Sequence, residues 1–284
     1  MKTILVTGSK GFIGKNLVPA LKELNYNVIE FSGDITKNES YYNLNQLEFS
    51  HCFHLAAKSY VPDSWLKPDE FIKTNVYGTE KILELCRIKN ASLTFMSSYL
   101  YGIPKKLPIA ENHPLQPNNP YAFSKHMAED LCKFYSDFYN VKINILRPFN
   151  IYGLGQDERF LIPMLIEQTL NEKEIVVKDL IPKRDYVFIL DVVEALILTL
   201  NSTQKFQALN IGSGSSLSVA EVIEEIKKVT GISKNVKSSN EIRINEIPDT
   251  VADISLAKNS LGWEPRIKFA EGLKKIIDYK KINK

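Results

Sequence analysis

The stretch Thr3-Ile-Leu-Val-Thr-Gly-Ser-Lys-Gly-Phe-Ile-Gly14 is a short apolar run followed by three glycines. An amphipathic pattern from Phe12 to Leu24 comes next, so the order predicts a strand, a tight turn and a helix. Glycines in such a turn let the backbone approach a diphosphate, and the helix N-terminus faces it. The stretch therefore predicts a dinucleotide-binding turn whose contacts are Gly8, Lys10, Gly11, Phe12, Ile13 and Gly14.

The rest of the chain repeats this alternation of strand and helix patterns. Further strands are expected at 27–31, 51–55, 92–97 and 142–146, with helices at 70–88 and 124–139. Continuous apolar strands separated by helices predict an α/β fold, a doubly wound, Rossmann-like parallel sheet. After residue 150 the pattern loosens into helices near 160–170, 191–200 and 218–229, which predicts a smaller C-terminal α/β substrate lobe. We expect residues 1–150, with 185–212, to form the dinucleotide-binding domain, and 151–184 with 213–284 the substrate lobe.

Composition excludes several classes of protein. The 284 residues are 44% hydrophobic and 24% charged with a net charge of +3, which is typical of a globular chain and favours neither nucleic acid nor a membrane as partner. The three cysteines are far apart, so the sequence predicts no metal site and no disulfide framework. No leader or membrane-spanning pattern is visible, and a cytoplasmic protein is expected.

The residues after the second strand bear on the choice of cofactor. A carboxylate at the end of that strand binds the adenosine ribose and repels a 2′-phosphate, but Ser32 stands there. Asp34 follows closely, and could reach the ribose or lie beside the adenine with Ile35. Because Lys10 could neutralise a 2′-phosphate, the sequence favours NADP(H), with NAD(H) as the alternative.

A tyrosine and a lysine four residues apart stand out at the start of the next long helix. Tyr121 and Lys125 fall on one helix face, where an ammonium can lower the pKa of a phenol. A tyrosine tuned in this way can serve as a general acid or base. Ser97 ends the preceding strand and can hydrogen-bond the same substrate oxygen. Since ligands of open α/β sheets bind at the carboxyl ends of the strands, these residues and the glycine turn should share one crevice.

At this point the chain resembles the extended short-chain dehydrogenase/reductase family, in its nucleotide-sugar epimerase, dehydratase and reductase branch. The motifs that carry the resemblance run the length of the chain: Gly8-x-x-Gly-x-x-Gly14, Phe53-His-Leu-Ala-Ala57, Asn75-Val-Tyr-Gly-Thr79, Ser97-Ser-Tyr-Leu-Tyr-Gly102, Tyr121-x-x-x-Lys125, Arg147-Pro-Phe-Asn150, Arg184-Asp-Tyr186 and Leu261-Gly-Trp263.

The resemblance implies roles for particular residues. Ser97, Tyr121 and Lys125 would form a catalytic triad, with Lys125 also holding the nicotinamide ribose. The cofactor would further contact Leu55, Ala56 and Ala57. The nucleotide sugar would contact Lys58, Ser59, Ser98, Tyr99, Asn150, Arg184, Arg243 and Glu246. For Arg184 a structural ion pair with Asp185 or another carboxylate is the alternative. The resemblance also implies a homodimer formed through a four-helix bundle that uses the Tyr121 helix.

Departures from the branch narrow the expected chemistry. Similar 4,6-dehydratases carry an Asp-Glu pair directly after the catalytic hydroxyl, whereas Ser98 and Tyr99 stand here. Similar 3,5-epimerase/reductases place a cysteine at the position of Tyr99. Two segments, 56–65 and 243–248, resemble GDP-4-keto-6-deoxy-D-mannose reductases, and the segment after the second strand is brief, as in several reductases.

These departures favour the NAD(P)H-dependent reduction of the C4 ketone of a nucleotide-linked, possibly GDP-linked, 4-keto-6-deoxyhexose in deoxysugar biosynthesis. The alternatives are a 4-epimerase with retained NAD and, from a different class, a non-catalytic dinucleotide-binding regulator.

Overall fold

A computed structural model describes residues 2–42, 44–241 and 246–282. Its strands are β1 Thr3–Thr7, β2 Asn27–Phe31, β3 His51–His54, β4 Ser92–Met96, β5 Ile143–Pro148, β6 Asn150–Tyr152, β7 Glu174–Val177, β8 Lys183–Arg184, β9 Tyr186–Phe188, β10 Phe206–Ile211, β11 Leu217–Ser218 and β12 Asn235–Ser238. Its helices are α1 Phe12–Glu23, α2 Val61–Leu66, α3 Pro68–Ile72, α4 Gly78–Ile88, α5 Pro120–Tyr139, α6 Leu161–Asn171, α7 Ile189–Leu198, α8 Val219–Thr230, α9 Ser255–Leu261 and α10 Phe269–Ile282.

Six of the strands form one parallel sheet in the order β10-β5-β4-β3-β1-β2. Every residue of β3 and β5 is buried, because helices cover both faces of the sheet. The chain leaves β1 toward β2 on one side and returns to β3 on the other. This reversal opens a crevice at the carboxyl ends of β1 and β3, where ligands of doubly wound sheets bind. The predicted fold class is confirmed.

The segment that joins β2 to β3 is short. It contains two single 3₁₀ turns, Asn38–Tyr41 and Leu44–Gln46. Within the described parts of the chain no strand pairs with the outer edge of β2, so β2 is an edge strand. The Rossmann order 3-2-1-4-5-6 has two strands on that side of its first strand, whereas the described residues of this sheet supply β2 alone.

The helix expected at 70–88 is interrupted. α3 and α4 are joined by a turn of π-helix, Lys73–Tyr77, which contains the fully buried Asn75. A π-turn inserts one extra residue into a helix, and the apolar periodicity on either side gives no sign of it. The other predicted helices are present with ends shifted by a few residues, and α8 begins with a capping box formed by Ser218 and Glu221.

The C-terminal part of the chain packs on the sheet rather than apart from it. One hydrophobic cluster contains Ile4 of β1, Val192 of α7 and Ile226 of α8. Its strands form small two-stranded pairs, β6 with β9, β7 with β12 and β8 with β11. The division into 1–150 with 185–212, and 151–184 with 213–284, stays a prediction. None of the helices described is both long and apolar enough to span a bilayer.

Candidate active site

A cavity of about 900 Å³ lies at the carboxyl ends of the central strands. The glycine turn forms one end of it, and the first turn of α5 forms its middle. The predicted residues on its wall are Gly8, Gly11, Phe12, Ile13, Gly14, Leu55, Ala57, Lys58, Ser59, Ser97, Ser98, Tyr99, Tyr121, Lys125 and Asn150. The structure therefore brings together the two sets of residues that are more than a hundred positions apart in the sequence.

The glycine turn is built for close packing against α1. A Cβ on Gly14 would lie 2.3 Å from the carbonyl oxygen of Gly8, and Gly8 itself has a φ of +68°. The amide of Gly11 donates to the carbonyl of Gly8 at 2.9 Å, which closes the turn. α1 then starts at Phe12, and its first three residues line the cavity. The N-terminus of a helix has free amides and favours an anion. Since the buried Ser9 Oγ also has no hydrogen-bond partner here, the turn fits a bound diphosphate.

The local sequence fixes where α5 begins. The Asn119 side chain accepts a hydrogen bond from the amide of Ala122 at 2.8 Å, and Pro120 occupies the first helical position. This start places Tyr121 in the first turn, where its ring packs edge-on against Phe71 with centroids 6.3 Å apart.

Burial governs the ionisation of the tyrosine and the lysine. It raises the pKa of Tyr121 to about 12, partly offset by the hydroxyl of Ser98. It lowers the pKa of Lys125 to about 7, and the ammonium nitrogen lies 4.0 Å above the Phe95 ring. In the chain without ligands, burial and the hydroxyl of Ser98 are the two causes that act on the pKa of Tyr121. The lowering of that pKa by Lys125 stays a prediction.

Two serine hydroxyls face the same cavity. Ser97 and Ser98 directly follow β4, and the amide of Ser97 donates to Leu146 of β5 at 2.8 Å. The two residues are only 3% and 7% exposed, and neither Oγ has a hydrogen-bond partner among the described residues. Buried hydroxyls without a partner are rare in native proteins and point to a missing ligand.

Two of the polar side chains expected to contact the substrate already have partners within the protein. Lys58 Nζ pairs with Glu70 at 2.6 Å. The hydroxyl of Tyr99 donates to the carbonyl of Gly102 at 2.7 Å, so it is not free to act as a second acid. Ser59 and Asn150 lie on the cavity wall.

The arginine expected on the substrate lies off the cavity wall. Arg184 donates to the carbonyls of Lys183 at 2.7 Å and Ile247 at 2.6 Å, and it forms an ion pair with Glu246. Neither member of that pair lines the cavity, although Ile247 does. The alternative, a structural ion pair with Asp185 or another carboxylate, is thus found with Glu246 as the partner. Asp185 instead accepts from the backbone amides at 213, 214 and 252. Arg243 lies outside the described residues.

The residues expected to select the cofactor lie beyond the wall of the cavity. Lys10, Ser32 and Asp34 are exposed, whereas Ile35 is buried. The carboxylate of Asp34 accepts from the amide and hydroxyl of Thr36 at 2.9 and 2.7 Å, which keeps its pKa below the usual range and the group charged. Ala56 also lies off the wall, and its amide donates to Thr7 Oγ1 at 3.2 Å.

Sequence reasoning missed a group of residues at the mouth of the cavity. Arg159 pairs with Asp157 at 2.9 Å and reaches Asp63 of α2 at 3.5 Å. Its guanidinium lies 4.3 Å over the ring of Tyr60, and that ring packs edge-on against Phe160. These contacts join loops a hundred residues apart. Arginines are scarce in this lysine-rich chain, and that scarcity was the one signal in the sequence that could have drawn attention to Arg159.

Comparisons with known proteins find matches over nearly the whole chain. The model of the NAD dependent epimerase/dehydratase family matches residues 4–212. A putative UDP-glucose 4-epimerase of Methanocaldococcus jannaschii is 34% identical, with 99% of each chain covered. A GDP-6-deoxy-D-talose 4-dehydrogenase of Aggregatibacter actinomycetemcomitans is 30% identical, with 93% of this chain and 92% of that one covered.

Solved structures share the whole architecture. A UDP-glucose 4-epimerase of Thermotoga maritima, determined with UDP-glucose, superposes with a TM-score of 0.93 at 29% identity and 99% coverage of both chains. Other similar structures were determined with NAD or with NADPH. A nicotinamide dinucleotide is thus supported as cofactor, without a distinction between its two forms.

Proposed function

The chain belongs to the NAD dependent epimerase/dehydratase family, and we propose that within it the chain reduces the C4 ketone of a nucleotide-linked 4-keto-6-deoxyhexose. The observation that carries the proposal is the cavity itself, in which Ser97, Tyr121 and Lys125 face the glycine turn. A dinucleotide held by that turn supplies a hydride. A group that can protonate the resulting alkoxide must then lie nearby, and Tyr121 is that group.

Each side chain of the triad has one task in this proposal. Tyr121 gives its proton to the C4 oxygen of the sugar. Ser97, whose Oγ is buried without a partner, donates a hydrogen bond to the same oxygen and so stabilises the charge that develops there. Lys125 holds the nicotinamide ribose, and its buried amine can exchange a proton near neutral pH because its pKa is about 7.

Two observations favour net reduction. The short connection from β2 to β3 leaves the adenosine side of the crevice open at the edge strand, which suits a cofactor that is exchanged at every turnover. A relative that is 30% identical, with 93% of this chain covered, carries the name GDP-6-deoxy-D-talose 4-dehydrogenase. A 4-dehydrogenase run in reverse is a 4-ketone reductase.

A 4-epimerase is the second candidate. The relative with 34% identity carries that name, and the same triad would remove and return a hydride at C4. Such an enzyme keeps its NAD between turnovers, since the hydride goes back to the same sugar. Dehydration is disfavoured because Ser98 and Tyr99, not carboxylates, follow Ser97.

One experiment separates these candidates. The absorbance of the purified protein is recorded for retained nicotinamide, and NADPH or NADH oxidation is followed at 340 nm with a panel of GDP-, UDP- and dTDP-4-keto-6-deoxyhexoses. The reductase consumes stoichiometric NAD(P)H and is purified without cofactor. Interconversion of UDP-glucose and UDP-galactose without added cofactor would instead establish the epimerase.

Two tyrosine variants link the activity to the site. Tyr121→Phe should lower turnover about 100-fold or more and leave cofactor binding intact. The matched control is Tyr42→Phe, since the side chain of Tyr42 is 72% exposed and Tyr42 lies far from Tyr121 in the sequence. Equal activity of the two variants would refute the role of Tyr121.

We also propose that the chain forms a homodimer. The outer side of α5 exposes Phe123, Phe134 and Phe138, the last to 73%. Rows of exposed aromatic side chains on one helix are typical of an interface with a second copy. Light scattering coupled to size exclusion should give twice the mass of 32.4 kDa, and Phe138→Glu should reduce it to one copy.

A further inference from the structure

Two segments that are remote in the sequence meet at the mouth of the cavity. One comprises residues 60–66, which follow β3 and include α2. The other comprises residues 153–160, which join β6 to α6 and are called the strap below. Both segments contribute to the cavity wall, with Tyr60, Val61, Asp63, Leu66, Gln156, Asp157, Arg159 and Phe160. The separation of these two segments therefore sets the width of the cavity at this end.

The strap is tied to the rest of the protein away from the mouth. Asn16 of α1 donates to the carbonyl of Leu154 at 3.3 Å, which joins the start of the strap to the helix that follows the glycine turn. Glu158 forms an ion pair with Lys280 of α10 at 3.1 Å. Gly155 has a φ of +80°, and a Cβ on it would meet nothing within 4 Å. The strap thus contains one unpacked residue at which its backbone can bend.

Side chains make the contacts between the strap and residues 60–66. Arg159 Nη1 lies 3.5 Å from the carboxylate of Asp63, and the guanidinium lies 4.3 Å over the ring of Tyr60. The Tyr60 ring packs edge-on against Phe160 with centroids 5.7 Å apart. No backbone hydrogen bond between the two segments is present among the described residues. Because exposed ion pairs and cation–π contacts are individually weak, this mouth junction can open while both segments stay folded.

The strap itself orients Arg159 for this contact. Arg159 donates to the carboxylate of Asp157 from Nε at 3.0 and 3.2 Å, from Nη2 at 2.9 Å and from its backbone amide at 2.9 Å. These bonds fix the guanidinium over Tyr60 and leave Nη1 to reach Asp63. A planar guanidinium can stack on a ring and form ion pairs at the same time, which an ammonium cannot do.

The mouth junction lies on the side of the cavity that holds the proposed acid. Tyr60 directly precedes α2, and α2 and α3 both pack against α5, whose first turn carries Tyr121. The ring of Phe71 on α3 contacts the ring of Tyr121, with centroids 6.3 Å apart. A sugar whose C4 atom is placed at Tyr121 would therefore lie beside the junction.

We propose that the mouth junction is a gate, closed by Arg159 on Tyr60, that retains the bound nucleotide sugar during hydride transfer. The inference rests on the proposed function and adds a positioning residue to it, because Arg159 acts by holding the strap on Tyr60 and does not touch the reacting atoms. The open gate lets the nucleotide sugar enter and leave. Loss of Arg159 should therefore weaken retention of the sugar and leave the hydride-transfer step unaltered.

The first test compares Arg159→Ala with the unaltered protein on one 4-keto-6-deoxyhexose nucleotide. The KM should rise about tenfold, which is the combined worth of a cation–π contact and an exposed ion pair. The rate constant of hydride transfer, measured by stopped flow at saturating sugar, should stay within about twofold. A lower rate constant with an unchanged KM, or no change in either quantity, would overturn the inference.

The matched control is Arg266→Ala. The Arg266 side chain is 69% exposed, forms an ion pair with Glu194 at 3.1 Å, and does not line the cavity. This variant removes an arginine of similar exposure from a place outside the gate. Its KM and its rate constant of hydride transfer should equal those of the unaltered protein.

Tyr60 provides an independent pair of variants. Tyr60→Ala removes the ring under the guanidinium and should raise the KM as much as Arg159→Ala does, whereas Tyr60→Phe keeps a ring and should stay within about twofold of the unaltered protein. Because the two residues form one junction, the double variant Tyr60→Ala with Arg159→Ala should still raise the KM only about tenfold. An increase of about a hundredfold would mean that each residue contacts the sugar independently, and the gate would be refuted.

Hydrogen–deuterium exchange tests the gate without any substrate. In the protein alone, Arg159→Ala should speed exchange in peptides that cover residues 60–66 and 153–160, and it should leave the buried strand β5 unchanged. Unchanged exchange in both segments refutes the gate, whether or not a nucleotide sugar is reduced. Faster exchange in a protein that reduces no 4-keto sugar would support the gate and refute the proposed function alone.

Discussion

Replacing Glu129 with glutamine should destabilise the protein by about 3 to 5 kcal/mol, because it leaves the buried charge of Arg147 without a counter-ion. The two side chains are 5% and 8% exposed and join α5 to β5. Arg147 donates to Glu129 from Nε at 3.0 and 3.2 Å and from Nη2 at 2.6 Å. Its Nη1 keeps Tyr101 and the carbonyl of Glu111 as partners, both of them uncharged. Glutamine can replace one of the lost hydrogen bonds but none of the charge.

The assay is urea unfolding followed by circular dichroism, with Asp137→Asn as control. Asp137 forms an exposed pair with Lys133 on the same helix, and such pairs contribute about 0.3 to 0.5 kcal/mol. The double variant Glu129→Leu with Arg147→Met removes both charges and should be more stable than Glu129→Gln alone. A loss below about 1 kcal/mol in Glu129→Gln would refute the claim that this pair is a buried, charge-compensated link.

Three further outcomes are expected. If NADPH is preferred through a charge-assisted contact, Lys10→Ala should reduce the kcat/KM ratio of NADPH to NADH by about five- to a hundredfold, and an unchanged ratio would exclude Lys10. Arg184→Ala should raise the sugar KM about tenfold to a hundredfold if its guanidinium leaves Glu246 for the substrate diphosphate; unfolding without a selective KM effect would mark it as structural. Burial lowers the pKa of His51 and His54 from 6.5 to about 3, so the unfolded chain binds more protons between those values. The free energy of unfolding should therefore decrease as pH falls below 6.5, and His51→Gln should flatten that slope.

The sheet, and the position of Ser97, Tyr121 and Lys125 in one cavity with the glycine turn, could be predicted because their signals are local. Strand β1 is an apolar run that ends in glycine, and the helix period around Tyr121 and Lys125 places both on one face of α5. The carboxyl-end rule then put the glycine turn and the triad in one crevice without any knowledge of contacts. Each step used residues at most a few positions apart together with one rule about parallel sheets.

The features that the sequence did not predict depend on contacts between distant residues. Arg184 meets Glu246 across 62 positions, and nothing in either neighbourhood marks the other as its partner. Helix spacing predicts that Lys125 lies near Tyr121, but it does not give the desolvation that raises the pKa of the phenol and lowers the pKa of the amine. Burial depends on the whole fold, so the spacing of two residues four positions apart cannot predict the desolvation of their side chains.

A chain of buried hydrogen bonds connects the glycine-turn end of the cavity to the first turn of α5. Thr7, which ends β1 beside the glycine turn, contacts His54 at 2.8 Å, and His54 contacts Thr79 at 3.0 Å. Thr79 donates to the carbonyl of Asn75 at 2.6 Å, whose side chain donates to Ser124 at 2.9 Å.

The last hydrogen bond of this chain reaches Tyr121, the proposed catalytic tyrosine. Ser124 donates to the carbonyl of Tyr121 at 2.7 Å, so an unbroken series of short contacts runs from the turn that fits a dinucleotide to the residue proposed as acid. The π-turn at Lys73–Tyr77 belongs to the same chain, because it carries Asn75. Hydride transfer needs the donor and acceptor carbons about 3 to 3.5 Å apart. A buried polar network whose groups are all hydrogen-bonded makes the protein rigid, and it would thereby keep the two binding regions at the separation that this geometry requires.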